Sequence, residues 1–292
     1  MKTTRREILQ RAGAAWGGAA LACLPARLVA ADASADRPRI GVCDWSLGLA
    51  AQTTALDKAK ALGLEGVQVS PRLVGDRLSF ADAAQQKAYG EAARRTGMQV
   101  ASVGLALTNS FPLASDPRGP AWLEQAIDSA AALGCRTVLL AFFGKGDLLD
   151  GKKLKTRDVD EVVRRLKAAV PRAGDKGVVL GLESWLSAQD TLDILERVGG
   201  EAMAMYYDVV NSTLRGYDVP AEIRRLKGRI CEIHFKDNKG PQGKGDVNIE
   251  AACEAIREIG YKGWIILEGH YGDRDACMRA NAATARKLLN IS

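Results

Sequence analysis

Histidine is nearly absent from this 292-residue chain, which has two, and aromatic residues make up only 5% of it. The first scarcity excludes a multinuclear zinc site built from many imidazoles. The second excludes a single-strand nucleic-acid channel lined with stacking rings. The six cysteines show neither CxxC nor zinc-finger spacing, so no disulfide framework can be read from them. No apolar run is long enough to cross a bilayer. Charge of one sign is also scarce over most of the length. Of the net +6, Lys2, Arg5, Arg6, Arg11 and Arg27 against Glu7 place +4 in the first 31 residues, and the remaining +2 or so implies no nucleic-acid surface. What is there, 47% hydrophobic and 26% charged residues, is a globular composition that excludes disorder and low complexity.

The amino terminus reads as an address. Thr4-Arg5-Arg6-Glu7-Ile8-Leu9-Gln10 is a twin-arginine pattern, followed by a weakly apolar stretch over 12–24 that is too short to span a membrane. Gly13, Gly17, Gly18 and Pro25 are poor choices for a helix core. A signal peptide over residues 1–31 and a periplasmic or secreted location are therefore expected. Ala20-Leu21-Ala22-Cys23 is an imperfect lipoprotein box, with Ala where Leu is preferred, so lipid anchoring is the lesser reading. Twin-arginine export usually carries proteins already folded, often with a cofactor in place.

From Arg39 onward, strand-like runs at 40–44, 66–70, 99–105, 137–142, 178–183, 204–208, 230–235 and 264–268 alternate with helical stretches at 53–62, 81–95, 121–133, 159–173, 188–198, 221–226, 249–259 and 275–289. Continuous apolar strands separated by amphipathic helices point to a parallel sheet with crossover helices. Eight such units in about 250 residues match a (β/α)8 TIM barrel, expected as a single domain over 38–292. A doubly wound open sheet is the competing architecture, but no GxGxxG follows the first strand. Several helices end on glycine just before a strand, as at Gly63, Gly134 and Gly260, a sign of C-capping. The longest irregular segments, 71–79, 107–120, 144–155, 211–219 and 237–247, all follow strands, which in a barrel gathers them on the catalytic face.

In that register Glu183, Asp208, His234 and Glu268 stand at the ends of the fifth to eighth strands, which are neighbours around the ring. Three carboxylates and an imidazole converging on one point repel each other unless a cation sits among them. Such an oxygen-rich set with one nitrogen suits Mn2+ or Mg2+, with Co2+ or Zn2+ as alternatives.

The segments Gly181-Leu182-Glu183, Tyr207-Asp208-Val209-Val210-Asn211, Ile233-His234-Phe235-Lys236-Asp237-Asn238 and Gly243-Lys244-Gly245-Asp246-Val247-Asn248 resemble the xylose isomerase-like barrel superfamily, in its sugar phosphate isomerase/epimerase branch. The likeness covers nearly all of the chain beyond the signal. It implies that Glu183, Asp208, His234 and Glu268 hold one divalent metal and that Glu183 and Glu268 also exchange protons with a sugar. Proton abstraction next to a carbonyl needs a base and stabilisation of the enediolate, which such a metal supplies. Exchange on two faces gives epimerisation, and on one face aldose-ketose isomerisation.

Three departures qualify the resemblance. Where ketose 3-epimerases often carry Glu, His and Arg to grip sugar hydroxyls, this chain has Gln189, Asn211 and Gly240. Further candidate substrate contacts are Lys236, Trp185, His270, Asp44 and Gln68, with Trp45, Phe142, Phe143 and Tyr207 as rings near strand ends. Lys236, Lys239 and Lys244 with Gly240, Gly243 and Gly245 form either an anion cradle or a glycine-rich turn with solvated lysines. The leading reading is an exported, metal-dependent sugar isomerase or epimerase acting on a carbohydrate or sugar derivative. The alternatives are a lyase that eliminates a β-substituent from an oxidised sugar at the same site, and a carbohydrate-binding protein without turnover. Nucleic-acid partners and stable membrane insertion are not expected, and a homo-oligomer is compatible with the branch.

Overall fold

A computed structural model describes residues 36–291, so the reading of 1–31 as a signal peptide lies outside the described residues. Eight parallel strands close into a barrel: β1 (Arg39–Cys43), β2 (Gly66–Val69), β3 (Gln99–Leu105), β4 (Thr137–Phe142), β5 (Val179–Ser184), β6 (Met203–Asp208), β7 (Ile230–Phe235) and β8 (Trp264–Leu267). Each pairs with the next in sequence, and β8 closes on β1 from Arg39↔Trp264 to Val42↔Leu267. The connecting helices are α1 (Thr54–Ala61), α2 (Ala83–Thr96), α3 (Gly119–Leu133), α4 (Thr156–Asp175), α5 (Ala188–Val198), α6 (Val209–Leu214), α7 (Val219–Leu226), α8 (Ile249–Glu258) and α9 (Arg274–Leu289). The expected (β/α)8 barrel is the fold.

The apolar patterns account for this arrangement. All six residues of β4 are buried, because one side faces the barrel interior and the other the helix layer. In α4 the buried positions are Val159, Val162, Val163, Leu166, Ala169 and Ala173, spacing that lines one helical face against the sheet. Gly63 and Gly134 take the left-handed conformation, φ +74° at both, which turns the chain from helix to strand with little strain.

Two local features differ from the sequence reading. Two irregular segments contain small hairpins, Leu73–Val74 with Arg77–Leu78 and Leu149–Asp150 with Lys153–Leu154. Their strands are two residues long, too short for periodicity to register. The short helix α6 begins directly after Asp208, whose side chain caps it, and occupies part of a segment expected to be irregular. Pro171 lies inside α4, near its end, within the helical stretch expected over 159–173.

The barrel interior is layered. Apolar groups of Cys43, Ala101, Trp264 and Ile266 and of Leu139, Ala141, Ala204 and Tyr206 fill part of it. Gln68, Ser102, Glu232 and His234 form a buried polar set, none more than 1% exposed. At Gly104 an added Cβ would lie 3.0 Å from the Trp45 ring, so glycine there lets the indole lie across the carboxyl end of the barrel.

Candidate metal centre and cavity

Strand register brings the four expected residues together. Glu183 lies opposite Ala141 and Asp208 opposite His234. His234 lies opposite Ile266, and Glu268, two residues further on, shares the inward side of the β8 segment by strand alternation. Glu183, Asp208, His234 and Glu268 each offer a ligand atom within 4.8 Å of all the others. His234 Nδ1 is 2.9 Å from Glu183 Oε1, 3.3 Å from Glu268 Oε2 and 3.8 Å from Asp208 Oδ2. Glu183, Asp208 and His234 are buried, and the Glu268 side chain retains 19% exposure toward the cavity.

Each carboxylate has a different set of partners. Asp208 Oδ1 accepts the backbone N–H groups of Val210 at 2.8 Å and Asn211 at 2.9 Å, which caps α6. Its Oδ2 is buried and pairs with Lys236 Nζ, 2.7 Å away. Lys236 also donates to Glu268 Oε2, and Trp45 Nε1 donates to Glu268 Oε1 at 3.1 Å. Asn211 Nδ2 reaches Glu183 Oε1 at 3.4 Å.

These surroundings separate the two glutamates electrostatically. Burial raises Glu183 to about 7, against the opposing charge and hydrogen bond of His234. Burial acts on Glu268 in the same direction, but His234 and Lys236 outweigh it and bring it down to about 2. Burial would lower His234, yet the charges of Glu268, Glu183 and Asp208 raise it to about 9. The site is therefore a cluster of anions balanced by two internal cations.

The donor set fits a divalent metal. Three carboxylates supply hard oxygen ligands and one imidazole supplies a nitrogen, with the Lys236 ammonium on Asp208 Oδ2 occupying charge that a bound ion would take over. Cys43 forms a second group with His234 and Glu268. Burial and the charge of Glu268 hold its thiol well above the ordinary value, so it stays protonated and ligates poorly.

A cavity of about 350 Å³ opens beside this cluster, lined by Glu183, Asn211, Lys236 and Glu268, by the rings of Trp45, Phe143 and Trp185, and by Ser70, Ala106, Asn109, Leu139 and Ala141. Its size and mixed lining suit a small ligand. Phe143 and Trp185 meet edge to face with centroids 5.2 Å apart. Of the residues proposed from sequence as substrate contacts, Asn211, Lys236 and Trp185 are therefore at the cavity. Gln189 is exposed on α5 and bonds Asp193, and His270 is exposed beside Arg274. Asp44 is fully buried and accepts from Ser70 and from the Ala51 backbone, so it braces the loop after β1. Phe142 and Tyr207 are buried in the main core and are not in the cavity lining, with Tyr207 bonded to Glu222.

The glycine-rich loop after β7 is filled from within. Asp237 accepts backbone N–H groups from Asn238, Gly243 and Gly245 at 2.8–3.0 Å, while Lys239 pairs with Asp246. The N–H groups of Gly243 and Gly245, two of the three glycines of the expected cradle, are thus already used. Gln68, read from sequence as a substrate contact, is instead fully buried, outside the cavity lining, and bonded to His234, and sequence reasoning missed the residues behind it, Ser102, Tyr206 and Glu232. The available signal was alternation: Glu232 stands two residues before His234 and so faces the same way.

The model of the xylose isomerase-like TIM barrel family matches residues 56–290. L-ribulose-5-phosphate 3-epimerase UlaE of Escherichia fergusonii is 28% identical over 236 residues, covering 73% of this chain and 80% of that protein. Among solved structures, an L-ribulose 3-epimerase superposes with a TM-score of 0.74 at 19% identity, covering 87% of this chain and 95% of the other. The 3-keto-D-glucoside 4-epimerase YcjR of E. coli gives 0.69 at 15% identity, covering 86% and 100%.

Proposed function

The chain belongs to the xylose isomerase-like TIM barrel family, and from that premise we propose that it is a divalent-metal-dependent epimerase or isomerase of a small carbohydrate. The observation that carries this reading is the cluster of Glu183, Asp208, His234 and Glu268 at one wall of a ligand-sized cavity. UlaE and the two solved structures, all named as epimerases of sugars or sugar derivatives, support it. Mn2+ or Mg2+ suits the oxygen-rich ligands best, with Co2+ or Zn2+ as other occupants. When bound, the ion supplies Lewis-acid polarisation of the substrate carbonyl and stabilises enediolate charge.

The protein's own groups perform the proton transfers in this proposal. Glu183 and Glu268 form the acid/base pair: one takes the proton from the carbon beside the carbonyl and the other returns one to that carbon. Asn211 and Lys236 orient the substrate's oxygens, and Trp45, Phe143 and Trp185 present apolar faces to its carbon skeleton.

The test is incubation of the metal-loaded protein in D2O with ketoses, ketose phosphates and oxidised glycosides. The expected result is deuterium at one carbon of a product of unchanged composition, abolished in Glu183→Gln. Release of an unsaturated product would show elimination instead, and an inert protein that still binds a sugar would show a binding role. Export is a separate proposal, supported by Arg5-Arg6 and the stretch over 12–24. A reporter fused after residue 40 should reach the periplasm, and Arg5→Lys with Arg6→Lys should retain it in the cytoplasm.

A further inference from the structure

Beneath the cluster, on the side away from the cavity, lies a chain of hydrogen bonds whose direction can be followed. Glu232 Oε2 accepts from Ser102 Oγ at 2.7 Å and from the Tyr206 hydroxyl at 3.1 Å. With Glu232 ionised, or with its proton on Oε1, each hydroxyl's single hydrogen is used, and toward Gln68 the two oxygens can only accept. Gln68 Nε2 donates to both, at 2.9 Å to Ser102 Oγ and 3.0 Å to the Tyr206 oxygen. Both amide hydrogens are thereby committed, and Gln68 Oε1 must face the other way. It lies 2.8 Å from His234 Nε2 and accepts the Cys43 thiol at 3.3 Å. An amide flipped end for end would set its oxygen against two oxygens that have no hydrogen left to donate.

We infer that Glu232 and Gln68 are positioning residues for the metal site: the hydrogen-bond polarity they impose places a hydrogen on His234 Nε2 and leaves Nδ1 as the ligating atom. With Nε2 protonated, the Nδ1 lone pair points among Glu183 Oε1, Glu268 Oε2 and Asp208 Oδ2. Without a metal that position holds a hydrogen directed at Glu183 Oε1, 2.9 Å away, and a bound cation would take its place. The ring cannot readily turn away, because Tyr206 packs edge-on against it with centroids 4.5 Å apart and Trp45 does so at 6.0 Å. Gln68, Ser102, Tyr206 and Glu232 are all at most 1% exposed, so water does not compete for these bonds. Partners that orient a ligating histidine are typically worth about 10–100-fold in metal affinity.

This inference rests on the metal reading of the cluster, and the experiment separates the two. Zinc affinity is measured by competition titration for the wild type, Gln68→Met, Gln68→Glu and Glu232→Met. Ser129→Ala serves as a control, since it removes buried hydrogen bonds elsewhere in the fold. The protonated ring nitrogen of His234 is read by 15N NMR of the diamagnetic zinc form, in which His270 is the only other histidine. The wild type is expected to carry its hydrogen on Nε2. Gln68→Met and Glu232→Met should bind zinc about 10–100-fold more weakly and show a mixture of tautomers. Gln68→Glu, which keeps an oxygen facing Nε2 but sets its other oxygen against Ser102 Oγ and the Tyr206 oxygen, should keep the hydrogen on Nε2 while losing thermal stability. Ser129→Ala should lose thermal stability without losing zinc affinity.

Zinc bound to Nε2 in the wild type, a measurement that needs no variant, would overturn the inference. So would wild-type affinity in both methionine variants while the wild type binds zinc. A wild type that binds neither zinc nor manganese would overturn the metal reading and this inference with it.

Discussion

Lys236 is the one cationic side chain in the cavity lining among the described residues, and it is already engaged with Asp208 and Glu268. It balances carboxylates that a metal would also balance, so the two should trade off. Lys236→Met is expected to destabilise the metal-free protein by about 2–3 kcal/mol, less than a fully buried pair would because its side chain is one-fifth exposed. Saturating Mn2+ should recover more stability in the variant than in the wild type. Thermal unfolding with EDTA and with Mn2+ measures both, and an equal loss in the two states would show that the lysine does not offset the carboxylate charge. Glu232 illustrates the opposite balance, because burial raises it to about 7 despite hydrogen bonds from Ser102, Thr137 and Tyr206. A raised carboxyl keeps its proton in the folded state while the unfolded chain loses it, so wild-type stability falls as pH rises from the unfolded value toward 7. Glu232→Gln lacks that loss, and its stability relative to wild type should improve by about 3 kcal/mol between pH 4 and pH 8. Urea titrations of the metal-free proteins across that range test it.

The elements that carry the site divide its duties between structure and chemistry. Asp208 ends β6 and caps α6 with one oxygen while the other faces the cluster. Asp208→Asn should keep the cap and most of the stability but weaken metal binding by at least about 10-fold. Asp208→Ala should lose a further 1 kcal/mol or so of stability as the cap disappears. Calorimetry beside metal titration separates these effects, and equal stability of the two variants would show that the cap contributes nothing. In α4, which packs against β5, Pro171 lacks the N–H that would close one helical bond. Pro171→Ala should stabilise the barrel by about 1 kcal/mol without altering metal affinity.

At the scale of the whole molecule, closure of the barrel is what concentrates charge. Ligands from four strands meet only when β8 has closed on β1 and the register is complete. A metal that binds this assembled state and not the unfolded chain should raise stability by about 2.7 kcal/mol at one hundred times its dissociation constant. For a domain of this size that is about 5–10 °C in Tm. Chelation should reverse the gain, and a Tm insensitive to both metal and EDTA would remove the cluster as a metal site.

Local pattern alone determined the eight strands, the main helices and the glycines that end several of them, because burial of continuous apolar runs and one-sided helices is written in neighbouring residues. It also put Glu183, Asp208, His234 and Glu268 at successive strand ends, since that needs only the period of the chain and the closure of a barrel. The pairing of Lys236 with Glu268, the filling of the glycine loop by Asp237 and the bond from His234 to Gln68 were decided by tertiary structure. Gln68 and His234 are 166 positions apart, and Gln68 and Tyr206 are 138 apart. No local period relates such residues. Which hydrogen each polar group donates, and so which nitrogen of His234 faces the cluster, depends on partners that meet only after the ring has closed.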